Sequence, residues 1–386
     1  MIHAIQVLLV CVFTAMLGLG IVSPIMPLYA ESLGATFVQI GLLSSAWSIS
    51  RLIFTPTIGR LSETKSKRKL MAGGLAIYMV VSLLYTLAWA FTSLVSMRFL
   101  HGLGSAITIP LALAYAAGLA PEGKEGRYMG TMNLSIFAGM GLGPLIGGYL
   151  TDEFSLSAPF YVMSAMTALS LLLTLIILPE EKSRSPIVRR STPSFRKVLS
   201  NRLFRAAFVY RVMDAFGRGS VMYFLSIFIS GSSEIGGLSM PVSVAGLILS
   251  AGQISMAVMQ RPFGVLADKY NKVRLILLGG LLAAMGYALI PNAHTSWEVM
   301  MARLVISTGA AMAMPALTAI VTIEGREMGL GTTMSVFLSA MSLGMIAGPL
   351  LSGLLVDLIG LRRIFYAGGL IGLTGTVAFY LMEKLR

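Results

Sequence analysis

The chain has 386 residues, of which 56% are hydrophobic and only 12% are charged, and its mean hydropathy is +0.83. A soluble domain carries about 25% charged residues, so the composition excludes a soluble globular protein. The net charge of +13 would suit a nucleic-acid partner, but the distribution of the basic residues, described below, argues against that class.

The apolar residues come in long runs that do not alternate with polar residues. A helix needs roughly 20 apolar residues to cross a bilayer, whereas the strands of a membrane barrel alternate. We therefore predict an all-α membrane protein with twelve transmembrane helices. The predicted spans are 5–30, 37–58, 70–91, 93–119, 128–150, 158–179, 205–230, 241–262, 273–291, 297–322, 330–356 and 362–382. The first span is too long for a secretory signal and is expected to stay uncleaved.

The Lys and Arg residues fall mainly in the segments 59–70, 180–205 and 261–274. All three segments lie on one side of the membrane if the N-terminus is cytoplasmic, and the opposite side keeps only Arg362 and Arg363. Because positive residues stay on the cytoplasmic side, we predict a multi-pass inner (plasma) membrane protein with both termini cytoplasmic. The basic charge then indicates topology and contact with the lipid bilayer, not nucleic-acid binding.

The sequence repeats itself at an offset of 205 residues. The matched positions include Gly59 with Gly264, Arg98 with Arg303, Gly104 with Gly309, Pro110 with Pro315, Gly143-Pro144 with Gly348-Pro349, and Asp152 with Asp357. We predict two parallel six-helix repeats, with an N-terminal half at 1–179, a cytoplasmic linker at 180–204 and a C-terminal half at 205–386. Repeats of this kind place substrate near the midplane of the bilayer and move by rocking.

Over essentially the whole chain the sequence resembles the major facilitator superfamily, whose signature follows the second span and recurs at the repeat offset. The first copy departs from the signature at Glu63, where Asp is usual, and at Thr64, where a basic residue is usual. The resemblance implies that these residues control conformation, with acids after the fourth and tenth spans as partners of the bases. The set is Gly59, Glu63, Arg68, Gly264, Asp268, Lys269, Glu122 and Glu327. Gly59 and Gly264 are expected to let a helix end approach its neighbour.

The fifth span resembles the G-x-x-x-G-P-x-x-G-G signature of the family's twelve-span drug–proton antiporters. Its residues are Gly139, Gly143, Pro144, Gly147 and Gly148. The resemblance implies export, although small residues four apart also allow close helix packing and Pro144 bends a helix.

Arg98 and His101 in the fourth span resemble the family's R-x-x-Q-G motif, with His101 where Gln is usual. The resemblance implies a part in proton coupling. Arg98 could instead reach the membrane interface, and His101 could be a neutral histidine in the core.

Asp214 is the only acid well inside a predicted span, and Arg211 and Arg218 share its helix face. An ionisable residue within a membrane suggests a functional site, so Asp214 is our third candidate for proton coupling. A fixed ion pair explains the same pattern.

In the family the first, fourth, seventh and tenth helices line the substrate cavity. The aromatic and methionine residues on these spans are therefore cavity candidates, namely Phe13, Met16, Tyr115, Tyr210, Phe216, Tyr223 and Met312. The chain has 26 Met, and Met suits promiscuous apolar surfaces.

Together these features predict a secondary active transporter that exports a hydrophobic or cationic small molecule by alternating access, with protons as the coupling ion. A lysolipid or sugar exporter or an uptake carrier would have the same fold, and a transport-inactive receptor or assembly factor is the alternative of another class. Motifs for hydrolases, zinc sites and phosphate loops are absent from the sequence, so we expect no enzyme activity, no cofactor and no metal. We expect a monomer.

Overall fold

The computed structural model describes residues 2–119, 125–180, 195–328 and 330–384, and within these ranges it is helical without strands. The helices are α1 (Ile2–Ser32), α2 (Phe37–Thr64), α3 (Lys67–Tyr85), α4 (Phe91–Leu119), α5 (Glu125–Glu153), α6 (Ala158–Ile177), α7 (Phe195–Ser200), α8 (Arg202–Ser230), α9 (Val242–Lys269), α10 (Lys272–Leu289), α11 (Ser296–Met328), α12 (Leu330–Ile359) and α13 (Ile364–Lys384). All except α7 contain a stretch long and apolar enough to span a membrane, which gives twelve candidate spans. A helix satisfies its backbone groups internally, as a bilayer requires. The all-α prediction is confirmed.

Several helix ends differ from the predicted spans. The third span was expected to reach residue 91, but α3 ends at Tyr85, because the N–H of Thr86 bonds back to the carbonyls of Leu83 and Leu84 and the chain turns. The signature begins inside α2 and α9, which extend beyond the predicted ends at 58 and 262, and its Arg68 lies in α3. The turns that follow are short, since Ser66 and Asn271 cap the next helices with their side chains.

The repeat is visible in the helix boundaries. The helices α2 to α5 begin at Phe37, Lys67, Phe91 and Glu125, and α9 to α12 begin at Val242, Lys272, Ser296 and Leu330, each 205 residues later. The packing repeats as well. A Cβ added to Gly104 would lie 3.1 Å from the carbonyl oxygen of Gly74 between α4 and α3, and one added to Gly309 would collide with that of Gly279 between α11 and α10. Two parallel six-helix repeats are thus present.

The chain separates into two compact units. The first contains Met1–Ile187 together with Pro241–Ser250, and the second contains Val188–Met240 together with Ala251–Arg386. Each unit has its own buried apolar core, around Leu8 and Tyr115 in the first and around Phe204 and Leu317 in the second. The predicted boundaries at 179 and 204 stay a prediction, and most of the predicted linker lies outside the described residues.

Within the first unit, α5 packs directly on α1 through glycines. A Cβ built on Gly139 would lie 2.6 Å from the carbonyl oxygen of Phe13. One built on Gly143 would lie 2.6 Å from Cα of Gly20, and one built on Gly147 would lie 2.5 Å from the carbonyl oxygen of Ile21. Real Cβ atoms do not approach this closely, so the backbones touch only because these positions lack side chains.

We expect Gly143→Leu to abolish transport and to lower the melting temperature in detergent, because the new side chain meets the backbone of α1 and overpacking of this kind costs about 1–3 kcal/mol or more. Gly73→Leu is the matched control, since a Cβ at that exposed helical position meets nothing within 4 Å. Thermal unfolding of both variants, together with substrate exchange in proteoliposomes, checks this. Wild-type exchange by Gly143→Leu would contradict the close packing.

Candidate functional site

Three charged side chains lie near the middle of α8, in the second unit. Asp214 Oδ2 lies 3.0 Å from Nη1 of Arg211 and 2.9 Å from Nε of Arg218. The spacings of three and four residues put all three side chains on one helix face. The Asp214 side chain is only 11% exposed, so its charge is held by two guanidinium groups.

A third guanidinium group, that of Arg303, and two phenols, those of Tyr210 and Tyr287, lie near these charged side chains. Arg303 on α11 and Tyr287 on α10 interact electrostatically with each other and with Arg218. The Nη1 of Arg303 donates to Ser307 Oγ at 3.2 Å. Arg211, Asp214, Arg218 and Arg303 form what we call the second-unit charge cluster, in which Arg211 and Arg218 bind the carboxylate and Arg303 interacts electrostatically with Arg218.

The cluster is completed by thioethers. Arg211 contacts the sulfur of Met314 at 2.8 Å and that of Met341 at 3.1 Å, and Arg218 contacts that of Met256 at 3.6 Å. A thioether is only a weak hydrogen-bond acceptor. Nη1 of Arg211 also donates to Asp214, whereas Nη2 of Arg211 and Nη1 of Arg218 meet these soft, adaptable side chains.

A cavity of about 540 Å³ lies between α9 and α11 in the same unit. Its wall includes Met314, which contacts Arg211, and also Gln260 and Thr318. Asp268 and Lys272 line it as well. Its volume falls in the range typical of small-molecule pockets.

The first unit holds a separate buried group, which we call the first-unit polar cluster. It consists of Trp47, Arg51, Tyr78, Tyr85, Arg98 and His101. Arg98 is completely buried and lies two turns after the start of α4 at Phe91. His101 Nδ1 lies 3.2 Å from the hydroxyl of Tyr85, and its ring meets that of Tyr78 edge-on at 4.4 Å.

The Arg51 guanidinium lies 4.7 Å from the ring centre of Trp47, one turn earlier on α2. An aromatic face attracts a cation. Of the three coupling candidates, the structure therefore brings Arg98 and His101 together, while Asp214 belongs to the other unit.

The signature residues lie mainly at helix ends. Arg68 donates to the carbonyl of Leu175, and Lys69 lies 2.8 Å from Glu180. The hydrogen bond from Lys69 holds the pKa of the Glu180 carboxyl below its usual range. Glu122 lies outside the described residues, as do the side chains of Glu63 and Glu327.

The expectation for Gly59 and Gly264 is wrong in this structure, because an added Cβ at either position meets nothing within 4 Å. Both glycines lie inside helices, so they form no close contact at a helix end. Of the remaining signature residues, Asp268 faces the cavity, and Lys269 is exposed at the end of α9.

The cavity candidates are dispersed. Met16 and Tyr115 belong to the core of the first unit, and Tyr210 belongs to the core of the second. Phe216 and Tyr223 are buried on α8, and Phe13 and Met312 are partly buried. Their role in binding stays a prediction.

The sequence did not lead us to predict one polar contact at the end of α5. The Asp152 carboxylate accepts from the backbone N–H groups of Val242 and Ser243, at 3.1 and 2.7 Å. These are orphan donors of the first turn of α9, where the helix dipole favours an anion. Gly148 allows this approach, because a Cβ there would lie 2.7 Å from the carbonyl oxygen of Val242. In the sequence, the repeat of Asp152 at Asp357 was the signal that could have indicated this contact.

Comparison with known proteins places this arrangement in a family. The model of the Major Facilitator Superfamily matches residues 8–242 and 207–385. An uncharacterised MFS-type transporter of Methanocaldococcus jannaschii is 27% identical over 98% of both chains. The quinolone resistance protein NorA of Staphylococcus aureus is 26% identical over 97% of this chain and 94% of its own.

Among solved structures, a bacterial homologue of the human lysosomal transporter Spinster has the same fold. It matches with a TM-score of 0.86 at 14% identity and covers 99% of this chain and 96% of that one. The family match covers nearly the whole sequence, and the helical repeat agrees with it. The chain belongs to the major facilitator superfamily and is a multi-pass membrane transporter, not an enzyme.

Proposed function

We propose that this transporter couples the export of a hydrophobic small molecule to protons through Asp214. The observation that carries the proposal is the position of this carboxylate. Among the described spans it is the one acid more than a helical turn from a span end, and an ionisable residue at that depth indicates function. Export is supported by the glycine motif of α5 and by the similarity to a quinolone resistance protein.

The geometry gives protonation of Asp214 a mechanical consequence. As a carboxylate it holds Arg211 and Arg218 on one face of α8. A neutral carboxyl group would loosen both ion pairs and free the two guanidinium groups to find other partners. Such a change biases one conformer over another, which is what alternating access requires.

The charge of the cluster bears on the cargo. Three arginines face one carboxylate, so a cationic compound would meet net repulsion in the second unit. We therefore favour the hydrophobic cargo over the cationic one that the sequence also allowed. An uptake carrier remains the second candidate, because the excess of guanidinium groups also suits a cargo that is taken up together with protons.

We expect Asp214→Asn to abolish accumulation driven by a pH gradient while retaining exchange at equal pH. One charge moving through the membrane potential is worth about 2.3 kcal/mol per 100 mV, so its loss should lower accumulation by about tenfold or more. Fluxes of a quinolone in proteoliposomes measure both activities. Asp357→Asn, at an exposed span end, is the control. If Asp214→Asn still accumulates substrate with an unchanged pH dependence, Asp214 is a structural ion-pair residue.

We also propose that Asp268 governs conformational change and does not hold substrate. Replacing it with Asn should slow transport several-fold and leave equilibrium binding within a few-fold, because Asn keeps the size of this cavity-lining side chain at the end of α9. Transport rate and binding affinity are measured on the same preparation, and Asp268→Glu should restore the rate. Complete loss of binding in a folded Asp268→Asn protein would place the carboxylate in the substrate site.

A further inference from the structure

The second-unit charge cluster carries more positive charge than the described protein around it neutralises. Arg211, Arg218 and Arg303 lie inside spans, and the one carboxylate of the cluster, Asp214, is paired with Arg211 and Arg218. The other titratable groups in reach are the phenols Tyr210 and Tyr287, which are neutral in their usual state. Two positive charges are therefore left without a counter-charge among the described residues of this cluster.

The hydrogen bonds show a matching excess of donors over acceptors. The Nε–H groups of Arg211 and Arg303 are buried and have no acceptor among the described residues. Three of the contacts that Arg211 and Arg218 do make are to methionine sulfur. Buried polar groups are normally satisfied, and a charged donor without an acceptor is the costliest exception. The unused donors thus suit a strong acceptor of opposite charge.

The depth of the cluster limits what that acceptor can be. Asp214 lies twelve residues after the start of α8 and sixteen before its end, which is about 18 and 24 Å along the helix axis at 1.5 Å per residue. A lipid headgroup remains at the surface of a hydrocarbon layer about 30 Å thick. The acceptor therefore has to be a molecule that enters the transporter.

We propose that Arg211, Arg218 and Arg303 bind an oxyanionic group of the cargo, so that the transported molecule is an amphipathic organic anion. This rests on the proposed function, since it assigns the cargo of the same site. The planar fork of a guanidinium group matches a carboxylate or a phosphate with two parallel hydrogen bonds. The adjoining cavity has a mixed wall, in which Met314, Pro315 and Ala319 supply apolar and thioether surface for the remainder of such a molecule beside polar side chains.

Four probes that share one ring system and differ in charge test the proposal. The probes are 2-naphthoate, 2-naphthyl phosphate, the neutral 2-naphthamide and the cationic 2-naphthylmethylammonium. Their equilibrium binding is measured on the full chain in lipid nanodiscs at equal pH, without any gradient. We expect at least one of the two anions to bind about tenfold or more tightly than the amide and the cation, as charge-assisted hydrogen bonds allow. Comparing the carboxylate with the phosphate identifies the oxyanion.

Arg303→Gln should remove the preference for anions. Arg205→Gln should keep it, because Arg205 is an exposed arginine of α8 that lies outside the cluster. If Arg303→Gln does not fold, Gly252→Ala replaces it. A Cβ at Gly252 would lie 2.5 Å from Nε of Arg303, so it displaces the guanidinium group and keeps the charge. We expect this variant to weaken anion binding several-fold.

The proposal is overturned if neither anion binds more tightly than the amide, or if the preference survives in the folded Arg303 or Gly252 variant. Because the assay contains no gradient, its result does not depend on proton coupling. A transporter that prefers anions but keeps its pH dependence in Asp214→Asn would refute the coupling proposal alone. One that prefers the cation would refute the anionic cargo alone.

Discussion

A charge inside a bilayer must be compensated, and this requirement determines how both halves of the transporter are built. Moving a guanidinium group from water into a medium of low dielectric constant is unfavourable by several kcal/mol in real proteins. Arg98 is fully buried, and Arg211 is bound at once by a carboxylate and two thioethers. The helices that carry these arginines can pack only if neighbouring side chains compensate the buried charges. The positions of the tyrosines, methionines and Asp214 follow from that.

The two repeats share a scaffold but meet this requirement differently. Arg98 and Arg303 are equivalent at the repeat offset, and so are Trp47 and Gly252. In the first unit the position carries an indole ring, over which Arg51 stacks. In the second unit the same position is a glycine, and the Arg303 guanidinium lies over it. The indole of Trp47 thus lies against Arg51 in the first unit, whereas in the second unit the missing side chain at Gly252 gives its place to the Arg303 guanidinium.

Sequence patterns predict the fold here far better than they predict the site. Hydropathy identifies the spans because lipid contact requires apolar residues, and the glycines of α5 mark a helix contact because only glycine permits it. The partners of Arg51 and His101 could not be predicted, because each depends on rings brought in from particular helix faces. Asp152 carried a repeat signal, but its acceptor role requires knowing that α9 begins beside it.

The anionic cargo and the role of Asp214 together determine the sign of coupling. The cargo oxyanion and the Asp214 carboxylate would compete for the guanidinium groups of Arg211 and Arg218. Protonation of Asp214 removes the competitor, so it strengthens binding of the anion, and by reciprocity the bound anion strengthens binding of the proton. Proton and anion then favour the same state, as in a symporter, so an anionic cargo would support the uptake carrier, our second candidate, over proton-coupled export. A neutral cargo gains no such linkage from the guanidinium groups, and exchange against protons remains open to it. The charge of the cargo therefore decides between uptake and export on this scaffold.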